Sequence, residues 1–223
     1  MNNTISVIIP LYNCEKYIGE AIESVKGQAY QPQIIVVDDG STDGGSGIAE
    51  ASGAIVLRQR RKRTAAARNA GISAATGEFI FFTDSDDIVC EGAFSALMAG
   101  FDRKTDVVYG MISEFVSDEL PDEEKQKLRP RTEPYFGQFH GSALIRRRVL
   151  DKIQFDETLK TGEGIKFTQS VRENFRVKQI NTTVMRRRLH FNNLGRTEKQ
   201  QETRDYASLI RERLKEKVER SSP

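Results

Sequence analysis

Asp84-Ser85-Asp86 sets two carboxylates one residue apart, directly after the apolar run Phe79-Ile80-Phe81-Phe82. Such a pair in a turn can point into one cleft and offer oxygen to a hard divalent cation. Mg²⁺ or Mn²⁺ often takes only one or two protein oxygens and completes its shell with phosphate and water. A cation held that way neutralises charge on a diphosphate leaving group. Capping of the next helix accounts for these acids equally well on local sequence, and Asp87 is the expected cap. Asp38-Asp39 is a second acidic pair, followed by Gly40-Ser41. A carboxylate there could accept from a nucleobase imide or a ribose hydroxyl, although DDGS is first of all turn chemistry. Tyr12 could stack on a base or simply pack. Arg68-Asn69 follows the basic run Arg60-Arg61-Lys62-Arg63. These side chains could hold phosphate, or form a solvated surface.

The elements that must position these groups read as alternating strands and helices. Ile5 to Ile9 is a β-branched run stopped by Pro10, and Ile34 to Val37, Ala54 to Leu57, Glu78 to Thr83 and Val107 to Ile112 are further strands. Between them, helices are expected from about Cys14 to Lys26, Gly47 to Ala51, Ala65 to Ala75 (capped near Gly77) and Gly92 to Phe101. This alternation predicts a mostly parallel sheet with helices on both faces, which binds ligands at the carboxyl ends of its strands. Pro10 to Asn13, Asp38 to Ser41 and Asp84 to Asp87 all fall at that edge. The second half is less regular. Ser117 to Pro134 reads as a charged loop excursion, Phe136 to Ile145 as partly extended, Arg146 to Lys152 as a short helix and Thr182 to His190 as a strand. Glu198 to Arg220 reads as a basic amphipathic helix.

Composition narrows the class. The 223 residues suit one domain, and 38% apolar with 30% charged residues suits a soluble globular chain. A net charge of +2 gives no global field for nucleic acid. Two cysteines, Cys14 and Cys90, make no disulfide framework or zinc pattern and favour a reducing compartment. No apolar run reaches the roughly 18–20 residues of a membrane span, and the N-terminus lacks the pattern of a secretory signal. No G-x-G-x-x-G follows the first strand and no G-x-x-x-x-G-K-[ST] occurs, which disfavours a dinucleotide dehydrogenase and a P-loop NTPase.

Four segments in this order and spacing resemble the family 2 glycosyltransferases: SVIIPLYN (6–13), IIVVDDGSTD (34–43), ARNAGI (67–72) and TGEFIFFTDSDD (76–87). The resemblance is clear over about the first 110 residues. It continues weakly through HGSALIRRRVLDKI (140–153), TGEGIKF (161–167) and RRRLHFNN (186–193). It implies a single GT-A domain over 1–223, a Rossmann-like α/β fold with a C-terminal helical extension. Residues 1–110 would form the nucleotide-sugar half, 111–197 the acceptor half and 198–223 the terminal helix. The implied activity is inverting transfer of a sugar from a nucleotide-diphosphate donor, UDP by preference, to an acceptor hydroxyl. Mn or Mg assists, and the product is a polysaccharide or glycoconjugate. By the same resemblance Pro10 and Tyr12 line the nucleotide pocket, Asp39 binds the base and Arg68 supports the nucleotide. Asp84 serves the ribose and the metal, Asp86 is the closer metal ligand, and His190 sits near the diphosphate or metal.

Two departures from the family pattern matter. Glu163-Gly164 stands where the family has Glu-Asp, whose aspartate is commonly the general base; glycine cannot take a proton. Glu163 is then the candidate catalytic residue. Otherwise another acid serves, or the chain is a catalytically impaired nucleotide-sugar-binding or partner-binding protein. The run Arg60 to Arg63 replaces a neutral stretch, and with the basic terminal helix it allows an anionic acceptor or a peripheral membrane contact. A solvated face laced with Glu/Arg pairs explains it better. The expected partners are a nucleotide-sugar donor and a saccharide or glycolipid acceptor, with no nucleic acid and a homodimer left open. The expected place is the cytoplasm, at most peripheral at the inner face of the membrane.

Overall fold

The computed structural model describes residues 3–137, 139, 141–159 and 161–191. The first half contains β1 (Ile5–Leu11), α1 (Glu15–Lys26), β2 (Gln33–Asp38), α2 (Gly45–Ala51), β3 (Ile55–Arg58), α3 (Thr64–Ala74), β4 (Phe79–Phe82), β5 (Ile88–Val89) and α4 (Ala93–Ala99). The second half contains β6 (Val107–Val116), α5 (Asp122–Lys125), β7 (Ala143–Arg146), α6 (Arg147–Leu150), α7 (Glu163–Asn174) and β8 (Val177–Leu189). The strands form one sheet in the order β3-β2-β1-β4-β7-β6-β8-β5. β1 to β4 pair in parallel, as do β6 and β8; β7 runs antiparallel to β4 and β6, and β5 antiparallel to β8. The sheet is thus mostly parallel, as expected, with antiparallel strands confined to its second half.

β1 is buried on both faces, which is why it reads as an unbroken apolar run. Its Val7, Ile9 and Leu11 pack with Ile18, Ile22 and Val25 of α1 and with Phe94 and Leu97 of α4. Ile8 points the other way, into a second core with Ala67 and Ile72 of α3 and Phe167 and Val171 of α7. Helices therefore cover both faces of the sheet.

Pro10 does not stop β1, which continues to Leu11. Ile8 O accepts from Thr83 N on the β4 side, and Leu11 O accepts from Asp39 N on the β2 side. By alternation the Pro10 nitrogen faces the β4 side, where β4 has already ended at Phe82. Its missing N–H therefore costs no ladder bond. Gly77 is likewise not the cap of α3, which ends on an extended Ala75. A Cβ on Gly77 would lie 2.6 Å from Ser6 N, so glycine is required there by close approach to β1. Asp87 caps no helix, because α4 begins only at Ala93 behind the left-handed Gly92. The Ser117–Pro134 excursion holds one short turn of helix, α5. The helix expected over Glu198–Arg220 and His140 of the weaker resemblance lie outside the described residues. Among the described residues no helix is long and apolar enough to cross a membrane.

α3 packs on β1 through Gly71, where a Cβ would meet Ile8 Cγ2 at 2.4 Å. Helix propensity favours alanine by about 1 kcal/mol, but overpacking a filled core costs about 1–3 kcal/mol. Gly71→Ala is therefore expected to lower the urea midpoint. Gly47→Ala in exposed α2, with nothing within 4 Å of the added methyl, is expected to raise stability by about 0.5–1 kcal/mol. Paired urea titrations check both signs.

Candidate active site

The carboxyl ends of β1, β2 and β4 open into one cleft of about 940 Å³. Pro10, Tyr12, Asp39, Arg68, Asp84, Asp86, Glu163 and His190, each singled out from sequence, all line it. The strand-end argument accounts for Pro10, Tyr12, Asp39, Asp84 and Asp86, and the resemblance for Arg68, Glu163 and His190. What each does depends on its neighbours.

At one end the two acids of the DDGS turn divide their work. Asp38 holds the turn itself, accepting from Ser41 N at 2.9 Å and Ser46 Oγ at 2.8 Å. Asp39 is buried and accepts from Gln59 Nε2, Lys62 N and Arg63 N, each at 2.7 Å. These bonds turn the backbone of the basic run inward and leave the side chains of Arg60 to Arg63 exposed. Arg63 is held at φ +78°, an uncommon conformation for a residue with a side chain. Arg61 folds back, its Cζ 3.3 Å from the centroid of the Tyr12 ring, a cation–π stack on the cleft wall.

In the middle of the cleft Arg68 is 2% exposed. Its Nη1 donates to Glu163 Oε1 at 2.9 Å and its Nη2 to Asp84 Oδ1 at 3.0 Å. Its Nε is the only buried side-chain polar atom without a partner among the described residues. A buried guanidinium N–H of this kind is open to an acceptor from an ordered water or a ligand. The neighbouring Asn69 locks α3 to the segment before α7, donating to Phe155 O at 2.9 Å and accepting from Phe155 N at 3.0 Å. Gly164 lies buried in the first turn of α7 and brings no side chain to the cleft.

At the other end Asp84, Asp86 and Asp87 each offer a carboxylate oxygen, all within 4.8 Å of one another. His190 Nε2 lies 2.9 Å from Asp86 Oδ2. Burial, then the charges of Asp86 and Asp84, push the Asp87 carboxyl well above the usual carboxylate range. Asp87 accepts from Arg188 N at 2.9 Å and serves as a buried support of the turn. The all-oxygen set from Asp84 and Asp86, with His190 adjacent, fits a hard divalent cation. Cys14 lines the same cleft, but burial pushes its thiol to about 12, so it is no nucleophile at neutral pH.

Three participants went unseen in the sequence. Tyr17 packs at a tilt against His190, with ring centroids 4.8 Å apart, although its spacing marks it only as part of the apolar stripe of α1. Glu124 of α5 reaches the cleft from the charged excursion. Arg188 is one of three consecutive arginines, and nothing in the run distinguishes the buried one.

Removing Arg68 would leave Glu163 and Asp84 without their shared cation. Asp84 is about half exposed, so the loss belongs at the low end for a broken buried pair, about 3 kcal/mol. Arg68→Met is expected to lower the melting temperature by about 6–12 °C. Arg68→Lys, which cannot fork between two carboxylates, should recover only part of that in a thermal melt.

Comparison with known proteins fits this architecture. The family model described as Glycosyl transferase family 2 matches residues 6–155. The minor teichoic acid biosynthesis protein GgaB of Bacillus subtilis is 31% identical over 196 residues, 76% of this chain and 21% of GgaB. The chain therefore spans about a fifth of that relative. The crystal structure of Staphylococcus aureus TarS 1–349 in complex with UDP-GlcNAc superposes with a TM-score of 0.68 at 25% identity, covering 85% of this chain and 60% of that one. Glucosyl-3-phosphoglycerate synthase from Mycobacterium tuberculosis, in complex with Mn²⁺, UDP and glucosyl-3-phosphoglycerate, shares the fold with a TM-score of 0.65 at 21% identity, over 93% of this chain and 79% of that one. With the family model covering well over half its length, and the expected fold in place, the chain belongs to glycosyl transferase family 2.

Proposed function

We propose that the cleft binds a UDP-linked sugar and transfers the sugar, with inversion, to a hydroxyl of a growing glycan. The observation that carries this reading is one cleft that joins Tyr12 and Asp39 at one end to Asp84, Asp86 and His190 at the other, with the buried Arg68 guanidinium between them. TarS is seen in complex with UDP-GlcNAc and the synthase with UDP, and GgaB is a protein of minor teichoic acid biosynthesis. A Mn²⁺ or Mg²⁺ ion held by Asp86 and Asp84, with His190 beside them, would supply charge neutralisation at the diphosphate.

The chain's own residues do the rest. Tyr12 and Pro10 form a shelf for the base, with Arg61 lifting from the Tyr12 ring. A carboxylate offers about four lone-pair sites, and three of Asp39's are filled. The remaining one suits the single imide N–H of uracil or thymine. Guanine presents two adjacent N–H donors, of which one would stay unpaired. Arg68 sets a fixed positive charge in the wall of the cleft while its two Nη atoms stay on Glu163 and Asp84.

Deprotonation of the acceptor is the step the family pattern leaves open. Gly164 has no acid, and Glu163 shares Oε1 with Arg68. Glu124 lines the same cleft without a side-chain partner among the described residues. The second reading, a donor-binding protein impaired in transfer, is favoured by Gly164 alone.

Calorimetry with UDP, dTDP and GDP, each with Mn²⁺ and with EDTA, tests the donor site. UDP and dTDP are expected to bind in the presence of metal and GDP at least tenfold more weakly, with the metal dependence lost in Asp86→Ala. No binding of any nucleotide to folded protein would sink the reading. Turnover tests the base: a positioned general base contributes about 10²–10⁴-fold, so Gly164→Asp is expected to raise UDP release from UDP-N-acetylglucosamine by about 10²-fold. Unchanged release in Gly164→Asp together with its loss in Glu163→Gln would assign the base to Glu163 and remove the impaired reading.

A further inference from the structure

Three carboxylates within 4.8 Å of one another repel, and a site of this kind needs something that holds the turn without occupying its ligand oxygens. Arg188, at the end of β8 and two residues before His190, is buried behind that turn. Its Nε donates to the main-chain oxygen of Asp86 at 3.0 Å, not to the carboxylate. Its backbone N donates to Asp87 Oδ1 at 2.9 Å. Nη1 reaches Ser117 Oγ at 3.4 Å, and Nη2 pairs with Glu20 of α1. The guanidinium packs against two rings, its Cζ 4.8 Å from the centroid of Tyr17 and 4.7 Å from that of Phe115. The same Tyr17 ring packs on His190, whose Nε2 meets Asp86 Oδ2.

We infer that Arg188 is a positioning residue for a divalent cation, fixing the Asp86 main chain directly and the His190 ring through Tyr17. This rests on the donor-site reading above only in the choice of Asp86 as ligand. The physical argument is one of geometry. A metal ligand must be held to within about 0.5 Å by groups that are themselves locked. A planar fork donating in three directions and packed against two rings is locked in a way that a lysine ammonium is not. Because this contact is to the main-chain carbonyl, Arg188 Nε itself takes up no carboxylate oxygen of Asp86. Arg188 also ties this turn to Ser117, where the segment begins that brings Leu120 and Glu124 to the cleft.

The test is Mn²⁺ titration of the whole chain, alone and with UDP, alongside UDP titration in EDTA. Loss of a group that orients a metal ligand costs about 10–100-fold in metal affinity. Arg188→Met is expected to weaken Mn²⁺ binding at least tenfold while leaving metal-free UDP binding within about twofold, and Arg188→Lys should recover part of the loss. Ser117→Ala, which removes only the longest contact, should leave Mn²⁺ binding within about twofold. Unchanged Mn²⁺ affinity in Arg188→Met overturns the inference. So does an equal loss of Mn²⁺ and metal-free UDP binding, which would mark a packing role only. If Arg188→Met does not fold, Arg188→Lys decides: a selective loss of Mn²⁺ affinity supports the role, and wild-type affinity overturns it. A wild-type chain that binds UDP but no Mn²⁺ overturns this inference and spares the nucleotide site. One that binds Mn²⁺ but no UDP sinks the nucleotide site and leaves Arg188 readable from Mn²⁺ alone.

Discussion

Like charge at one edge of the sheet is the constraint around which the molecule is organised. Two carboxylates 4 Å apart repel by about 4 kcal/mol at an effective dielectric near 20, and the cleft gathers Asp39, Asp84, Asp86, Asp87 and Glu163. Each is offset differently. Asp39 is wrapped in N–H donors from the 59–63 loop. Asp84 and Glu163 share Arg68. Asp86 meets His190. Asp87 is buried and held toward its neutral form, with the Arg188 amide on its oxygen. The partners come from the 59–63 loop, α3 and the end of β8, and one of the acids from α7, so the acidic edge draws distant parts of the chain into one body.

That arrangement also explains what was legible in the sequence and what was not. The strands feeding the site are apolar runs ending in turn residues, because parallel strands covered on both faces have no polar side to hide. The acids at their ends were therefore readable from order alone. α7 was not: of its twelve residues only Gly164, Phe167 and Val171 are buried, too thin a stripe to announce a helix. β5 is two residues long and exists only because it pairs with β8. Pro10 misled for a reason of register, since a proline ends a strand only where its nitrogen faces a partner. Arg188 was beyond reach because burial of one arginine in three depends on where Phe115 and Tyr17 arrive, a tertiary fact with no local trace.

The two halves of the chain thus carry different kinds of information. Up to about residue 110 the site is encoded by short motifs, each complete in itself. Beyond it, the contributions from Glu124, Glu163, Arg188 and His190 come from elements whose placement depends on the sheet already being formed. β7, running antiparallel between β4 and β6, joins the two halves, and Asn69 adds a second tie by clasping the Phe155 backbone.

The stack of Arg61 on Tyr12 bears on how readily the ring is uncovered. An exposed cation–π contact is worth about 0.5–1 kcal/mol, so the ring stands uncovered in roughly a sixth to a third of molecules. A base entering only the uncovered form would see its apparent affinity fall by about three- to sixfold, no more. On the proposed donor site the guanidinium is therefore a light cover on the aromatic face, and displacing it costs an entering base less than a factor of ten in affinity.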